Sequence, residues 1–268
     1  MKYKLVCIDI DGTLLDDEKR IPEQVKKSIR NASDQGVKIA LASGRMPAGI
    51  ELIEKELGVE CIKICNAGTY ILMRGQCIGE EYLSNSTMME VYTSFAKRNN
   101  VPLWIFQDRK YYVTCIDKYV EREMTIIPYQ PEVVDARQLA ARWDKKHKGP
   151  SKLLVAADPE KLETIYREMQ AHVWSDIDMA RSDDIFLEIF PKGINKGTAL
   201  EAVCNKLNIH PEETIAIGDQ ELDIPMIEAA GIGVAMGNAI EALKQKADFV
   251  TRTNNEAGIV YALEHYLA

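Results

Sequence analysis

Asp9 and Asp11 stand one residue apart at the end of the apolar run Tyr3-Lys4-Leu5-Val6-Cys7-Ile8. Carboxylates in that position are costly to desolvate unless something positive neutralises them. Other apolar runs close in the same way. Residues 37–43 run into Gly44 and Arg45, "CIKIC" runs into Asn66, and "TIAIG" runs into Asp219, with Asp223 four residues on. In open α/β sheets, ligands bind outside the carboxyl ends of the strands. Three or four carboxylates drawn to one such edge repel unless a hard cation neutralises them. Oxygen donors with no nearby His or Cys favour Mg2+.

Mg2+ sites with few carboxylates keep positions for water and a substrate phosphate. Ser43 supplies a hydroxyl, and Gly44 lets the backbone approach closely. Lys196, in "GINKGTAL" at a helix start, adds positive charge where the helix end already favours anions. An aspartate beside Mg2+ and lysine can attack phosphorus, and a second carboxylate can move the protons.

The elements that must hold these groups are legible as periodicities. After Pro22, the residues Val25, Ile29 and Ala32 recur at helical spacing and Gly36 ends the helix. A helix through Ile50, Ile53 and Leu57 separates the second and third strands. Near the C-terminus, Asn195 is placed to cap a helix whose Ala199, Leu200, Val203, Cys204 and Leu207 form one stripe. After "TIAIG" come a helix through Met226 and Ile227, the strand "GIGVAM", a helix, "ADFVT" and an amphipathic helix with Ile259, Val260, Leu263 and Leu267. Uniformly apolar strands alternating with helices predict a doubly wound, Rossmann-like α/β parallel sheet covered on both faces.

The middle of the chain reads differently. Helices are expected near residues 87–98 and 161–171. Paired strands are expected in "PLWIFQ" with "KYYVTC" across Gln107-Asp108-Arg109, then in "SKLLVAA", "WSDIDMA" and "DIFLEIF". This pattern predicts an α+β insert at residues 84–190 inside a core formed by 1–83 and 191–268.

Asp9-Ile10-Asp11-Gly12-Thr13 resembles motif I of the haloacid dehalogenase superfamily, DxDGT. Ser43-Gly44-Arg45 is similar to its motif II, Lys196 to motif III, and "GDQELD" (218–223) to motif IV. The resemblance covers the whole chain. The position of the insert and "PKGINKGTAL" resemble the Cof-type, C2B-capped sugar-phosphatase branch. The resemblance implies Asp9 as nucleophile and Asp11 as general acid/base. It implies Mg2+ held by the Asp9 carboxylate, the Asp11 backbone carbonyl and Asp219, with Asp223 near. It also implies phosphate bound by Thr13, Ser43, Gly44 and Lys196, substrate contacts from Arg45 and Asn66, and a cap that closes over the leaving group. Two departures stand out. Leu222 replaces an asparagine usual in the branch, and "NAG" at 66–68 replaces NGA or NGG.

The expected activity is Mg2+-dependent hydrolysis of a small phosphorylated metabolite, a sugar phosphate by preference, through an aspartyl-phosphate. A phosphomutase and a non-catalytic phospho-ligand sensor are the alternatives. "GIGVAMG" is not spaced as a dinucleotide fingerprint, and "NKGT" lacks the order of a P-loop. The chain of 268 residues is 46% hydrophobic and carries a formal charge of −8, which disfavours nucleic acid and anionic membrane as partners. Six cysteines without a CxxC pair and the absence of a charged-then-apolar leader fit a cytoplasmic protein with reduced thiols. Oligomeric state is left open.

Overall fold

β1 (Leu5–Asp9) is buried at every position, so both of its faces are covered. In a computed structural model, describing residues 2–126 and 129–267, it is the strand at which the chain changes direction across its main sheet. α1 (Glu23–Asp34) buries Val25, Ile29 and Ala32 and stops before Gly36, whose φ of 92° few other residues adopt. β2 (Lys38–Ala42), α2 (Pro47–Leu57) and β3 (Cys61–Cys65) follow as the apolar pattern requires. Next comes a hairpin that the sequence pattern did not disclose, β4 (Tyr70–Met73) and β5 (Gln76–Glu80). Its turn is Arg74-Gly75, both at positive φ.

The middle of the chain is a unit of its own, Glu80–Ile194, and the remainder, Met1–Gly79 with Asn195–Ala268, is the other. The sequence pattern put these boundaries at 83/84 and 190/191. Within the middle unit, α3 (Asn85–Glu90) is capped by Ser84 and continues as a π-helical segment, Val91–Ala96. β6 (Leu103–Gln107) and β7 (Lys110–Val113) form the expected hairpin, with Asp108 at φ 52°. α4 (Lys118–Ile126), β8 (Glu132–Val133) and α5 (Ala136–Asp144) were not anticipated. β9 (Lys152–Ala156), α6 (Pro159–Ala171), β10 (Ile177–Asp183) and β11 (Phe186–Pro191) complete a six-stranded sheet, ordered β10-β11-β9-β6-β7-β8. Every pair whose direction is defined is antiparallel except β7 with β8.

α7 (Lys196–Leu207) opens the return to the first unit. Asn195 accepts hydrogen bonds from the amides of Gly197 and Thr198, as its cap position predicts. β12 (Thr214–Gly218), α8 (Ile224–Ala229), β13 (Ile232–Ala235), α9 (Glu241–Lys244), β14 (Phe249–Val250) and α10 (Gly258–Leu267) complete it. The eight-stranded sheet is ordered β14-β13-β12-β1-β2-β3-β4-β5. The six strands from β14 to β3 are parallel, as the apolar pattern predicts, and β4 joins antiparallel beyond them. The fold class is α/β. The order reverses between β1 and β12, the kind of place where doubly wound sheets bind ligands.

Candidate active site

Strand register brings the polar groups to one edge. Asp9 is level with Ala42, Ala42 with Ile64, and Ile8 with Ile217. Ser43, Asn66 and Asp219 therefore follow within one or two residues of a common line beyond the strands' carboxyl ends.

The chain turns sharply after Asp9. Gly12 has φ 86°, and a Cβ there would lie 2.5 Å from Asp219 Oδ2, so this position excludes a side chain on both counts. The turn lets Thr13 reach across, and its hydroxyl donates to Asp219 Oδ1 at 2.8 Å. Lys196, the first residue of α7, is buried and donates to Asp9 Oδ1 at 2.6 Å and to Asp223 Oδ1 at 2.5 Å. The other Asp223 oxygen accepts the backbone amides of Asp219 and Gln220, each at 2.9 Å. Gly218 leaves room for this loop, since a Cβ on it would stand 2.5 Å from that of Asp223.

Asp9, Asp219 and Asp223 are all buried, with one oxygen of each within 4.8 Å of the others. Three carboxylates against one bonded ammonium leave two negative charges. Burial and then Asp223 push the Asp9 carboxyl well above its ordinary range, against the pull of Lys196. Burial also raises Asp219. Burial alone would lower Lys196, but Asp223 and Asp9 outweigh it and hold the ammonium charged. The cluster is short of positive charge, and its donors are all oxygen. That combination fits a hard divalent cation. Both oxygens of Asp223 are committed to Lys196 and to backbone, which leaves Asp9 and Asp219 as the carboxylates better placed for direct ligation.

Asp11 belongs to a different arrangement. Arg45 grips it with two bonds, Nε to Oδ2 and Nη2 to Oδ1, both 2.8 Å, and Lys19 adds a third at 3.2 Å. Burial works to raise this carboxyl, but the hydrogen bonds and charge of Arg45, with Lys19, outweigh it and hold it below its ordinary value. Ser43, Gly44 and Asn66 form a third part. The Ser43 hydroxyl accepts the Arg45 amide, the Ala67 amide donates to the Ser43 carbonyl, and the Asn66 amide donates to the Arg45 carbonyl. The loops after β2 and β3 are thereby stitched together, with Asn66 and Ala67 both at positive φ.

Three site residues escaped the sequence reading. Lys19 is one. Asn238, in the Gly237-Asn238 turn, donates to the Gly12 carbonyl at 2.8 Å and so fixes the turn after Asp9. Gln220 donates its amide to Asp219 Oδ2 at 3.0 Å, so a side-chain amide does reach this carboxylate, from position 220 rather than 222.

The model of the haloacid dehalogenase-like hydrolases matches residues 6–263. A 5-amino-6-(5-phospho-D-ribitylamino)uracil phosphatase of Bacillus subtilis is 28% identical, over 98% of this chain and 96% of its own. A haloacid dehalogenase-like hydrolase from Bacteroides thetaiotaomicron superposes with a TM-score of 0.86 at 30% identity, covering 98% of this chain and 99% of that one. The subclass IIB sugar phosphatase BT4131 superposes at 0.82 with 25% identity, over 98% and 99% of the two chains. With a site of this composition at the switch point of its sheet, the chain belongs to the Cof-type haloacid dehalogenase-like hydrolases and is a phosphatase.

Proposed function

We propose that the chain hydrolyses a sugar or polyol monophosphate through an aspartyl-phosphate on Asp9. The observation that carries this reading is the buried Asp9–Lys196–Asp223 bridge with Asp219 beside it. The relatives' names support the substrate class, since one acts on a ribityl phosphate and a structural neighbour is a sugar phosphatase.

Mg2+ held by Asp9 and Asp219 would neutralise charge on the transferring phosphoryl group. An Asp9 oxygen forms the new bond to phosphorus as the bond to the substrate's ester oxygen breaks, and that oxygen takes a proton from Asp11. Water then attacks phosphorus, gives its proton to Asp11, and the bond to Asp9 breaks to release phosphate. Lys196 fixes Asp9 for in-line attack and shares the phosphoryl charge, and Ser43 adds a donor. Asp223 is a positioning residue that holds Lys196 and the loop carrying Asp219. Held by Arg45, Asp11 is ionised, the form that accepts the water's proton. Donating a proton in the first step requires that the Arg45 pair loosen. A cap formed by the middle unit would shape the choice of leaving group.

Phosphate release from a panel of sugar, polyol and aryl monophosphates tests this, with Mg2+ or EDTA, for wild type and Asp9→Asn. Mg2+-dependent release lost in the variant supports it. Substrate consumed without free phosphate would point to transfer onto a second hydroxyl, and no reaction by folded wild type would overturn it.

A further inference from the structure

The turn between β13 and α9, residues 236–240, touches both loops that carry the candidate metal ligands. On one side its backbone is bonded to the Asp219 loop. The Met236 amide donates to the Gly218 carbonyl and the Ile240 amide to the Asp219 carbonyl, each at 3.0 Å. On the other side the Asn238 side-chain amide donates to the Gly12 carbonyl at 2.8 Å. The Asn238 oxygen accepts the Asn254 backbone amide at 2.9 Å, so both ends of the side chain are held and its partners set which way it faces. Asn254, itself buried, donates to the Leu15 carbonyl at 3.1 Å. Gly237 lets the turn approach this neighbour closely, since a Cβ there would stand 2.8 Å from the Thr253 nitrogen.

The peptide whose carbonyl Asn238 holds joins Gly12 to Thr13. At one end of it, Gly12 turns at φ 86° directly against Asp219. At the other, the Thr13 hydroxyl donates to Asp219 Oδ1. Glycine is the residue with the most backbone freedom to lose, and a bond to its carbonyl restricts that freedom where the site needs a fixed turn. Asn238 is exposed, so burial of its side chain does not account for its placement. Its bonds do.

We infer that Asn238 is a positioning residue. By tying the Gly12 carbonyl to the turn that also holds the Asp219 loop, it sets the spacing of Asp9 and Asp219. Through that spacing it governs divalent-cation affinity and the rate of phosphoryl transfer. The inference rests on the reading above, in which these two carboxylates share the cation.

Asn238→Ala and a control, Asn255→Ala, test it in the full-length chain. Asn255 belongs to the same loop contact, donating to Asp17 Oδ2 at 2.8 Å and accepting the Asp17 amide at 3.1 Å, but it does not bond to Gly12. Mg2+ affinity is read by calorimetry without substrate, and kcat and KM by phosphate release. Asn238→Ala should weaken Mg2+ by about tenfold and lower kcat by about tenfold or more, the usual cost of losing support behind a metal site, with KM changing less. Asn255→Ala should leave Mg2+ affinity and kcat near wild type. Wild-type Mg2+ affinity and kcat in folded Asn238→Ala would overturn the inference, as would equal losses in Asn255→Ala. Should Asn238→Ala not fold, Asn238→Asp keeps the size and the acceptor for Asn254 while losing the donor. A wild-type kcat in that variant would also overturn it. Failure of the phosphatase reading would show separately, as wild type that binds no cation and releases no phosphate.

Discussion

Each unit buries a lysine against carboxylate, and the two clusters differ in arithmetic. Lys196 lies among three buried carboxylates and bonds to two of them, whereas Lys152 pairs with Glu188. The first cluster is left with negative charge that a proton or another cation must meet. In the second, in the sheet of the middle unit, the ammonium of Lys152 and the carboxylate of Glu188 offset each other. Excess negative charge points to a site built around ions and phosphoryl chemistry, whereas an offset pair makes no such demand.

The largest break in this comparison comes from chemistry. Asp9→Asn should lower phosphate release by about 10^3-fold or more, because a carboxamide is a far poorer nucleophile. Release close to the wild-type rate would place the nucleophile elsewhere.

Stability separates the two lysines next. Lys196→Met leaves three carboxylates together and should cost about 3–5 kcal/mol in denaturant unfolding. Lys152→Met should cost a similar amount, but adding Glu188→Leu should recover much of it, since removing both members of a buried pair leaves no unpaired charge behind. No single carboxylate change should rescue Lys196→Met in that way, and a full rescue by Asp223→Leu would contradict the charge count.

Mg2+ should sharpen the difference with pH. Asp9 and Asp219 have folded-state pKa values raised above their unfolded ones. Such groups favour the fold below the unfolded carboxylate range, and that stability is lost as pH rises through the raised values. The gain in Tm on adding Mg2+ should therefore be larger at pH 8 than at pH 5, where protons compete. A gain independent of pH would remove Asp9 and Asp219 as ligands. Asp11 has the opposite sign, its folded value being lowered, so its small contribution is lost only as pH falls.

The smallest effect concerns thiols. Burial pushes Cys7 and Cys61 to about 12 and Cys204 to about 11, and Cys65 is buried too. Only Cys77 and Cys115 are exposed, so a soluble disulfide reagent at pH 8 should label two thiols rapidly and the other four after unfolding. Fast labelling of Cys7, which lies beneath Asp9, would mean that the strand under the site opens readily.

The first unit was the more legible of the two. Apolar runs of five or six residues ending in Asp9, Ser43, Asn66 and Asp219 carry their strand and its site residue together, and the Asn195 cap was readable from one residue. The β4–β5 hairpin was missed because Tyr70–Met73 reads as a continuous apolar run, with only Arg74-Gly75 to mark the turn. α5 had a usable signal in Asp135 followed by Ala136, Leu139, Ala140 and Trp143, whereas α4 buries only Val120 and had little. The pairing of Asp11 with Arg45 spans 34 residues and no local periodicity encodes it. The contacts of Lys19, Gln220 and Asn238 arise likewise from how loops meet at the sheet edge.

The central claim is that Asp9 becomes phosphorylated. Its most direct test is acid quenching during turnover with Mg2+, followed by borohydride reduction, which converts an aspartyl-phosphate to homoserine, and peptide mass analysis. Reduction at position 9, dependent on substrate and absent in Asp9→Asn, is the predicted result. Rapid phosphate release with the Asp9 peptide unmodified at every quench time would contradict it.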